Sequence, residues 1–154
     1  MTYRSSIAAL LIDPVYAGAR RVRLSRGQDG ELSLSELYAH LACDLVERAA
    51  FDDHHLIWAD GNGWDEAVGF TIIDDGANAI AGRFLIVGET DDGDTLDIAD
   101  DVEPLLDRLT CHRCLFEAEF VTCMGGSDAG FVVETRLHGV SPRIVKARPG
   151  FVEA

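Results

Sequence analysis

Lysine is nearly absent from this chain of 154 residues: Lys146 is the single one, and arginine supplies the remaining bases. Bases are scarcest in residues 51–107. This segment contains one base, Arg83, and sixteen aspartates and glutamates, so its net charge is −15. The flanking segments sum to zero and +1, so the whole net charge of −14 arises in this middle third. A surface that binds nucleic acid needs lysine and arginine to neutralise phosphates. The middle third is therefore excluded as a nucleic-acid-binding face, and a basic protein surface is its expected partner.

Long hydrophobic runs are also absent. No segment approaches the roughly 18 uninterrupted apolar residues of a membrane span, and residues 1–14 lack the basic region and apolar run of an export signal. We therefore expect a cytoplasmic protein that does not associate with membranes. Its hydrophobic content of 47% and charged content of 26% are typical of globular proteins, and the length fits a single domain over residues 1–154.

Short apolar or alternating segments between turn residues predict β-strands. They are residues 5–13, 20–25, 45–51, 54–59, 69–74, 81–88, 114–123 and 131–137. Two segments have helical spacing instead: one begins at Leu34 behind a capping box of Ser33 and Glu36, and the other covers residues 102–109. The pattern predicts an α+β fold, a mainly antiparallel or mixed sheet of six to eight short strands with two helices. Residues 108–154 are expected to add a C-terminal hairpin extension and a basic tail.

The most acidic stretch, residues 88–103, holds eight carboxylates in sixteen positions. Four roles fit such a stretch: metal binding, acid/base chemistry, imitation of nucleic acid, or a solvated hairpin followed by a capped helix. A calcium loop of the EF-hand type that starts at Asp92 would need an oxygen ligand at Leu96 and a glycine at Asp97, so that pattern fails. Helix capping by Asp100, with Glu103 three residues later, explains the second half of the stretch.

The first half reads as a hairpin tip within a larger acidic field that runs from Asp52 to Asp107. We predict that this field binds the partner. The predicted partner-binding residues are Asp74, Asp75, Asp91, Asp92, Asp94 and Asp97.

Three other groups of residues suggest different chemistry. His54 and His55 follow two aspartates, as a metal-dependent enzyme would require, although neighbouring strand residues point to opposite faces. Trp58 and Trp64 flank a turn that contains Asn62, where a nucleotide-type ligand could stack. No nucleophile elbow, P-loop, HExxH or dinucleotide motif accompanies these residues, and no cofactor is expected.

The cysteines offer a zinc site as a further alternative. Its candidate ligands are Cys111, Cys114, Cys123 and His138. Cys114 and Cys123 are nine residues apart, roughly 30 Å along an extended strand, which separates them too far for one ion unless the strand bends. Together with Cys43, the cysteines are expected to be reduced thiols.

Three segments, LLIDP, HHLIWADGNG and AIAGRFLIVGETDDG, resemble a family of small phage- and plasmid-borne accessory domains of unknown function. The resemblance covers residues 5–105 and includes an I-x-G-x-x-L-I-x-G strand from Ile80 to Gly88. It implies an accessory protein of a mobile element inside a bacterial cell, and it transfers no functional residue.

The leading hypothesis is therefore a non-enzymatic interaction protein, an anti-defence or host-takeover factor whose acidic middle third occupies a basic, nucleic-acid-binding surface. The first alternative is a small-molecule binding module at Trp58, Asn62 and Trp64. The second is a metal-dependent enzyme that uses His54, His55 and the nearby aspartates.

Overall fold

The computed structural model describes residues 5–76, 78–127 and 130–153, and within them the chain is mostly β-structure, with eleven strands and three short helices. The strands are β1 (Ser6–Asp13), β2 (Gly18–Ser25), β3 (Val46–Asp52), β4 (His55–Asp60), β5 (Gly69–Ile73), β6 (Asn78–Ala81), β7 (Phe84–Glu89), β8 (Thr95–Leu96), β9 (Leu109–Ser127), β10 (Gly130–Ala147) and β11 (Gly150–Val152). The helices are α1 (Leu34–Leu41), α2 (Gly63–Glu66) and α3 (Glu103–Leu106). None of these helices is long and apolar enough to cross a membrane.

The predicted α+β fold with two helices is wrong. The helix predicted over residues 102–109 is a single turn, α3, because Leu109 already pairs with Ile73 as the first residue of β9. The predicted strand over residues 81–88 corresponds to β7, which begins at Phe84; Ala81 instead ends β6 in the other sheet, and the chain changes sheet at Gly82, where the backbone has a φ of 76°. The residues predicted as a tail are mostly strand, since β10 runs to Ala147 and β11 follows it. Backbone pairing over long sequence distances therefore overrides the local helical pattern.

The chain forms two compact units: residues 1–113 together with 146–154, and residues 114–145. The larger unit contains a seven-stranded sheet in the order β11-β2-β1-β7-β4-β3, with β8 paired to β7. β11 runs parallel to β2, and the other pairs in this sheet are antiparallel. A second sheet has the order β10-β9-β5-β6. The smaller unit is the outer part of the β9–β10 hairpin.

Both faces of the seven-stranded sheet are buried, which explains why β1 and β7 are apolar without alternation. Leu10, Ile12 and Ile86 pack on one side against α3 and the start of β9. On the other side, the buried residues include Leu11 and Leu85, which pack against α1. The central strands are therefore the core of the larger unit.

Helix capping differs from the prediction at both predicted helices. Ser33 caps α1 by accepting a hydrogen bond from the backbone nitrogen of Glu36. The Glu36 carboxylate accepts from the Ser25 hydroxyl at 2.9 Å, whereas the backbone nitrogen of Ser33 donates to the carbonyl of Ser25. The second hydrogen bond of the predicted capping box is therefore not formed. Asp100 does not cap α3. Val102 occupies the cap position, and Asp101 Oδ1 accepts from the backbone nitrogen of Glu103 at 3.1 Å.

Candidate functional site: an acidic end of the sheet

Two turns meet where β3 and β7 end. Asp52 pairs with His55 across the β3–β4 hairpin, so Asp53 and His54 form its tip. The backbone nitrogen of Glu89, the last residue of β7, donates to the carbonyl of His54 at 2.8 Å. The β7–β8 turn, residues 90–94, therefore starts directly beside the β3–β4 turn.

Arg108 joins a third turn to these two. Its Nη1 donates to Asp52 at 2.7 Å, and its Nε and Nη2 donate to the two carboxylate oxygens of Asp74 at 2.9 Å each. Asp74 opens the β5–β6 turn, and its backbone nitrogen donates to the carbonyl of Arg108 at 2.7 Å. The guanidinium also lies 4.3 Å from the centre of the Phe51 ring, a cation–π distance. The three hairpin turns are therefore held at one end of the larger unit.

These turns bring six aspartates from distant parts of the sequence to one surface. We call this surface the acidic end; it consists of Asp52, Asp53, Asp74, Asp75, Asp91 and Asp92. All six residues are exposed. Within the described residues, Arg108 forms salt bridges with Asp52 and Asp74, and no salt bridge engages the other four. The acidic end therefore presents four uncompensated carboxylates to solvent.

The ion pairs shift the pKa values of their members. Burial of Asp52 opposes its ionisation, but hydrogen bonds from the His54 backbone, from His55 and from Arg108 outweigh burial and lower the pKa of this carboxyl. The hydrogen bonds from Arg108 lower the pKa of Asp74 as well. The hydrogen bond to Asp74 is the main cause that raises the pKa of Arg108 above its ordinary value, and the hydrogen bond to Asp52 raises it further. The three groups are therefore charged at neutral pH, and the acidic end keeps its net negative charge.

The other predicted partner-binding residues differ in role. Asp97 Oδ1 accepts from the backbone nitrogen of Ala8 at 2.8 Å, so this carboxylate fastens the segment after β8 to β1. Asp94 closes the β7–β8 turn through its backbone, which donates to Thr90 Oγ1 at 3.0 Å. Asp74, as described, is paired with Arg108. The structure thus brings Asp74, Asp75, Asp91 and Asp92 together and places Asp97 in a structural contact.

The two histidines lie beside the acidic end. His55 Nδ1 is 2.8 Å from Asp52 Oδ1, and the His55 ring meets the Phe51 ring edge-on at 5.8 Å. The backbone nitrogen of His54 donates to the same aspartate oxygen. Asp52 therefore serves as an acceptor for the turn, for His55 and for Arg108.

Trp58, Asn62 and Trp64 lie in different surroundings. Trp58 is on β4, under the guanidinium of Arg48 at 5.6 Å, and faces the α1 side of the sheet. Trp64 is on α2, 66% exposed, with its ring 6.1 Å from that of Phe70. Asn62 precedes α2, and its backbone nitrogen donates to Asp60. The structure therefore does not bring the two indoles to one site.

The zinc candidates are also distributed. Cys111 is buried beside Thr71, 3.7 Å from its hydroxyl, and burial raises the pKa of this thiol. Cys114, Cys123 and His138 belong to the outer hairpin, and both of these cysteines are exposed. Among the residues that the structure describes, no three histidine, cysteine, aspartate or glutamate side chains are grouped as metal ligands.

Comparison with known proteins gives one similarity. The chain is 22% identical over 142 residues to the "Uncharacterized protein y4iR" of Sinorhizobium fredii (strain NBRC 101917 / NGR234), an alignment that covers 92% of this chain and 86% of that protein. No protein-family model and no solved structure matches the chain. The similarity extends over most of both proteins and assigns no role to any residue.

Proposed function

We propose that the protein is a non-enzymatic interaction protein whose acidic end binds a basic surface of a partner protein. The observation that carries this proposal is the convergence of three hairpin turns, which sets four uncompensated aspartates beside two paired ones. Fixed, exposed carboxylates attract a basic surface and guide its approach. A groove that binds nucleic acid is such a surface, because it is lined with bases that neutralise phosphates.

The cellular setting belongs to the same proposal. An accessory protein of a phage or plasmid that blocks a host defence or nucleic-acid-binding protein would gain from this chemistry, since its carboxylates compete with phosphates for the same bases. The resemblance of residues 5–105 to small mobile-element domains supports this setting. The partner is therefore expected among the host's nucleic-acid-binding proteins.

The structure selects the variant that tests the proposal. Replacing Asp53, Asp75, Asp91 and Asp92 by asparagine removes the uncompensated charges and leaves the Arg108 pairs intact. A matched control removes four exposed acids elsewhere: Glu31→Gln, Asp44→Asn, Glu47→Gln and Asp65→Asn. Both variants change the net charge by the same amount, so a difference between them reports on position.

The experiment is affinity purification from the native host with all three proteins, followed by affinity measurement at increasing salt. The expected partner is retained by the wild type and the control, and it binds the acidic-end variant at least about fourfold more weakly, since each of the four exposed charge pairs contributes roughly 0.2–1 kcal/mol. Its affinity falls as salt rises, and duplex DNA displaces it. A partner that binds all three proteins equally, or whose affinity ignores salt, would refute the proposal.

A second candidate function is binding of a small, nucleotide-type molecule beside Trp58. The indole Nε1 of Trp58 is buried, and no hydrogen-bond acceptor meets it among the described residues. It borders a cleft of about 130 Å³ whose charged lining residues are Arg26, Arg48, Asp29, Glu31 and Asp94. Buried donors are normally paired, so an acceptor in the cleft would satisfy this one.

Fluorescence titration with inorganic phosphate and nucleoside monophosphates tests this candidate. Saturable quenching is expected in the wild type and in a Trp64→Phe control, and its loss is expected in Trp58→Phe, which keeps a ring but removes the donor. If Trp58→Phe responds as the wild type does, the Trp58 site is excluded.

A further inference from the structure

A cleft of about 270 Å³ lies where β1 ends and β2 begins; we call it the Tyr16 cleft, and it is lined by Leu11, Asp13, Tyr16, Gly18, Ala19, Arg20, Arg83 and Val152. Arg83 directly precedes β7, whereas the acidic end lies beside Glu89, the last residue of that strand. The length of β7 separates the two regions by roughly 17 Å, about twice the screening length of 8 Å at physiological salt. The carboxylates of the acidic end therefore contribute little to the potential in this cleft.

Two guanidinium groups give the Tyr16 cleft a positive charge. Arg83 Nε donates to Asp13 Oδ2 at 3.1 Å, and Asp13 Oδ1 accepts from the backbone nitrogen of Val15 at 3.0 Å, so both oxygens of this carboxylate are engaged. Arg20 is exposed, and within the described part of the chain no hydrogen bond or salt bridge engages its side chain. The pair of Arg83 and Asp13 is neutral, so Arg20 adds one uncompensated positive charge.

The β1–β2 turn holds Tyr16 in a fixed position beside this cleft. Arg113 donates to the carbonyl of Val15 at 3.2 Å, and the backbone nitrogen of Gly150 donates to the carbonyl of Ala17 at 2.9 Å. Tyr16 itself is 78% exposed, and it also lines a neighbouring cleft of about 220 Å³. An exposed ring on a turn that is fastened on both sides of it is an organised surface against which a second ring can pack.

The charge and the lining of the cleft indicate the chemistry of its ligand. A guanidinium is a planar fork of N–H donors that matches the two oxygens of a carboxylate. Asp13 orients Arg83 through Nε, and among the described residues the two terminal nitrogens of Arg83 have no partner. Leu11, Ala19 and Val152 supply apolar lining. Ligand sites in proteins combine an apolar lining with a few placed polar groups in this way.

We propose that the Tyr16 cleft binds a small aromatic monocarboxylate, with the carboxylate between Arg20 and Arg83 and the aromatic ring against Tyr16. One negative charge on the ligand matches the single uncompensated charge of the cleft, whereas a phosphate monoester would bring close to two. The cleft is slightly smaller than the about 300–1,000 Å³ of typical ligand pockets, which favours a ligand with one ring over a nucleotide. This site is separate from the acidic end and does not depend on the partner proposed for it.

Titration of the full chain with phenylacetate, followed by amide chemical shifts in NMR spectra, tests the site. Saturable shifts are expected, largest at Tyr16, Gly18 and Arg83, with a dissociation constant of about 1 mM or lower. Phenylacetamide keeps the shape and loses the charge, while acetate keeps the charge and loses the ring. Each of these two compounds should bind at least about tenfold more weakly than phenylacetate.

Two variants test whether phenylacetate occupies this cleft. Gly18→Val should weaken binding at least about tenfold, because a Cβ at Gly18 meets no atom within 4 Å and the added side chain occupies the cleft. Its control is Gly125→Val on β9, where a Cβ also meets open space. Arg20→Gln should weaken binding at least about fivefold. Its control is Arg23→Gln, which removes the same charge from the other face of β2.

Both control variants should bind phenylacetate as the wild type does, and so should the acidic-end variant, which separates this site from the proposed function. Equal affinities of Gly18→Val and Gly125→Val, or of Arg20→Gln and Arg23→Gln, would overturn the proposal. So would the absence of saturable shifts with phenylacetate, or equal binding of phenylacetamide. Inorganic phosphate that binds as tightly as phenylacetate would also overturn it, because the site would then recognise anions without an aromatic ring.

Discussion

Arg108 is the residue on which the geometry of the acidic end depends. It is a forked donor that engages Asp74 through two hydrogen bonds and Asp52 through a third, while its flat face covers Phe51. One side chain therefore fixes two turns whose aspartates are 22 positions apart in the sequence. Without it, like charges on the β3–β4 and β5–β6 turns would separate the two hairpins.

Replacing Arg108 by methionine keeps an apolar stem over Phe51 and removes the guanidinium. We expect a loss of about 1–2 kcal/mol in the free energy of unfolding at pH 7, from the lost cation–π contact and ion pairs. Urea unfolding of the wild type and the variant measures this loss in the free energy of unfolding. Arg136→Met is the control, since Arg136 pairs only with the exposed Glu134 in the structure described, and a loss below about 0.5 kcal/mol is expected there.

The effect of Arg108→Met depends on pH. The pKa values of Asp52 and Asp74 are lowered in the folded protein, so their contribution is complete above the ordinary carboxyl pKa of about 3.9 and disappears as the pH falls through the lowered values. The wild type and the variant should therefore differ most at neutral pH and converge towards pH 2. A difference that is constant from pH 7 to pH 2 would contradict the role of these pairs.

Cysteine reactivity gives a second prediction for single residues. Cys111 is 1% exposed and its thiol pKa is raised by burial, whereas Cys123 is exposed on the hairpin. A maleimide at neutral pH should label Cys123 within minutes and leave Cys111 unlabelled until the protein is unfolded. Peptide mapping by mass spectrometry reads both sites, and rapid labelling of Cys111 in the native protein would contradict the packing of β9 against β5.

At the scale of elements, α1 ends in an unfavourable backbone conformation. Its C-cap residue, Ala42, has a φ of 53° and a ψ of 48°, in the left-handed region that favours glycine. The cap nevertheless forms, because the Ala42 backbone nitrogen donates to the carbonyl of Tyr38 and Leu41 is buried. Burial of the apolar side of α1 therefore offsets the local strain.

The substitution Ala42→Gly should raise the free energy of unfolding by about 0.5–1 kcal/mol. The same change at Ala39, an exposed position inside α1, should lower it by about 1 kcal/mol, because glycine is a poor helix former. Thermal or urea unfolding of both variants measures the pair of opposite effects. Equal losses at both positions would show that the helix does not end as described.

Elements formed by neighbouring residues could be predicted from sequence, whereas those formed by distant residues could not. The β3–β4 hairpin and the start of α1 follow from local signals: paired aspartates between apolar strands, and a serine cap. The change of sheet at Gly82, between β6 and β7, depends on pairing with strands that are distant in the sequence. Likewise, the acidity of residues 51–107 is visible in the sequence, but Arg108 meets Asp52 and Asp74 only through the packing of β3 and β5, and no sequence pattern marks it.

At the scale of the whole molecule, the larger unit carries almost all of the negative charge, so self-repulsion reduces its stability. Raising the salt concentration from about 10 to 150 mM shortens the screening length from about 30 to 8 Å. The melting temperature should rise by several degrees over this range. We expect a higher melting temperature at low salt, and a smaller rise with salt than in the wild type, for the variant at Asp53, Asp75, Asp91 and Asp92.

The control for this salt response is the variant at Glu31, Asp44, Glu47 and Asp65, which has the same net charge. Its response should stay closer to that of the wild type, because these acids are not gathered at one end. Differential scanning fluorimetry across the salt series compares the three proteins. Identical curves for the two variants would show that total charge, and not its concentration at the acidic end, sets the stability.

The parallel pairing of β11 with β2 has a consequence for the order in which the protein folds. Phe151 lies beside Ala19, so the outer edge of β2 stays unpaired until residue 152 has left the ribosome. Likewise, the edge of β1 that pairs with β7 stays unpaired until β7, some 70 residues later, has been synthesised. A nascent chain that stalls between these points exposes strand edges to other chains, and pairing at such long sequence separation is slow. Chaperone dependence during synthesis, rather than weakness of the finished fold, is therefore the expected limit on the yield of this protein.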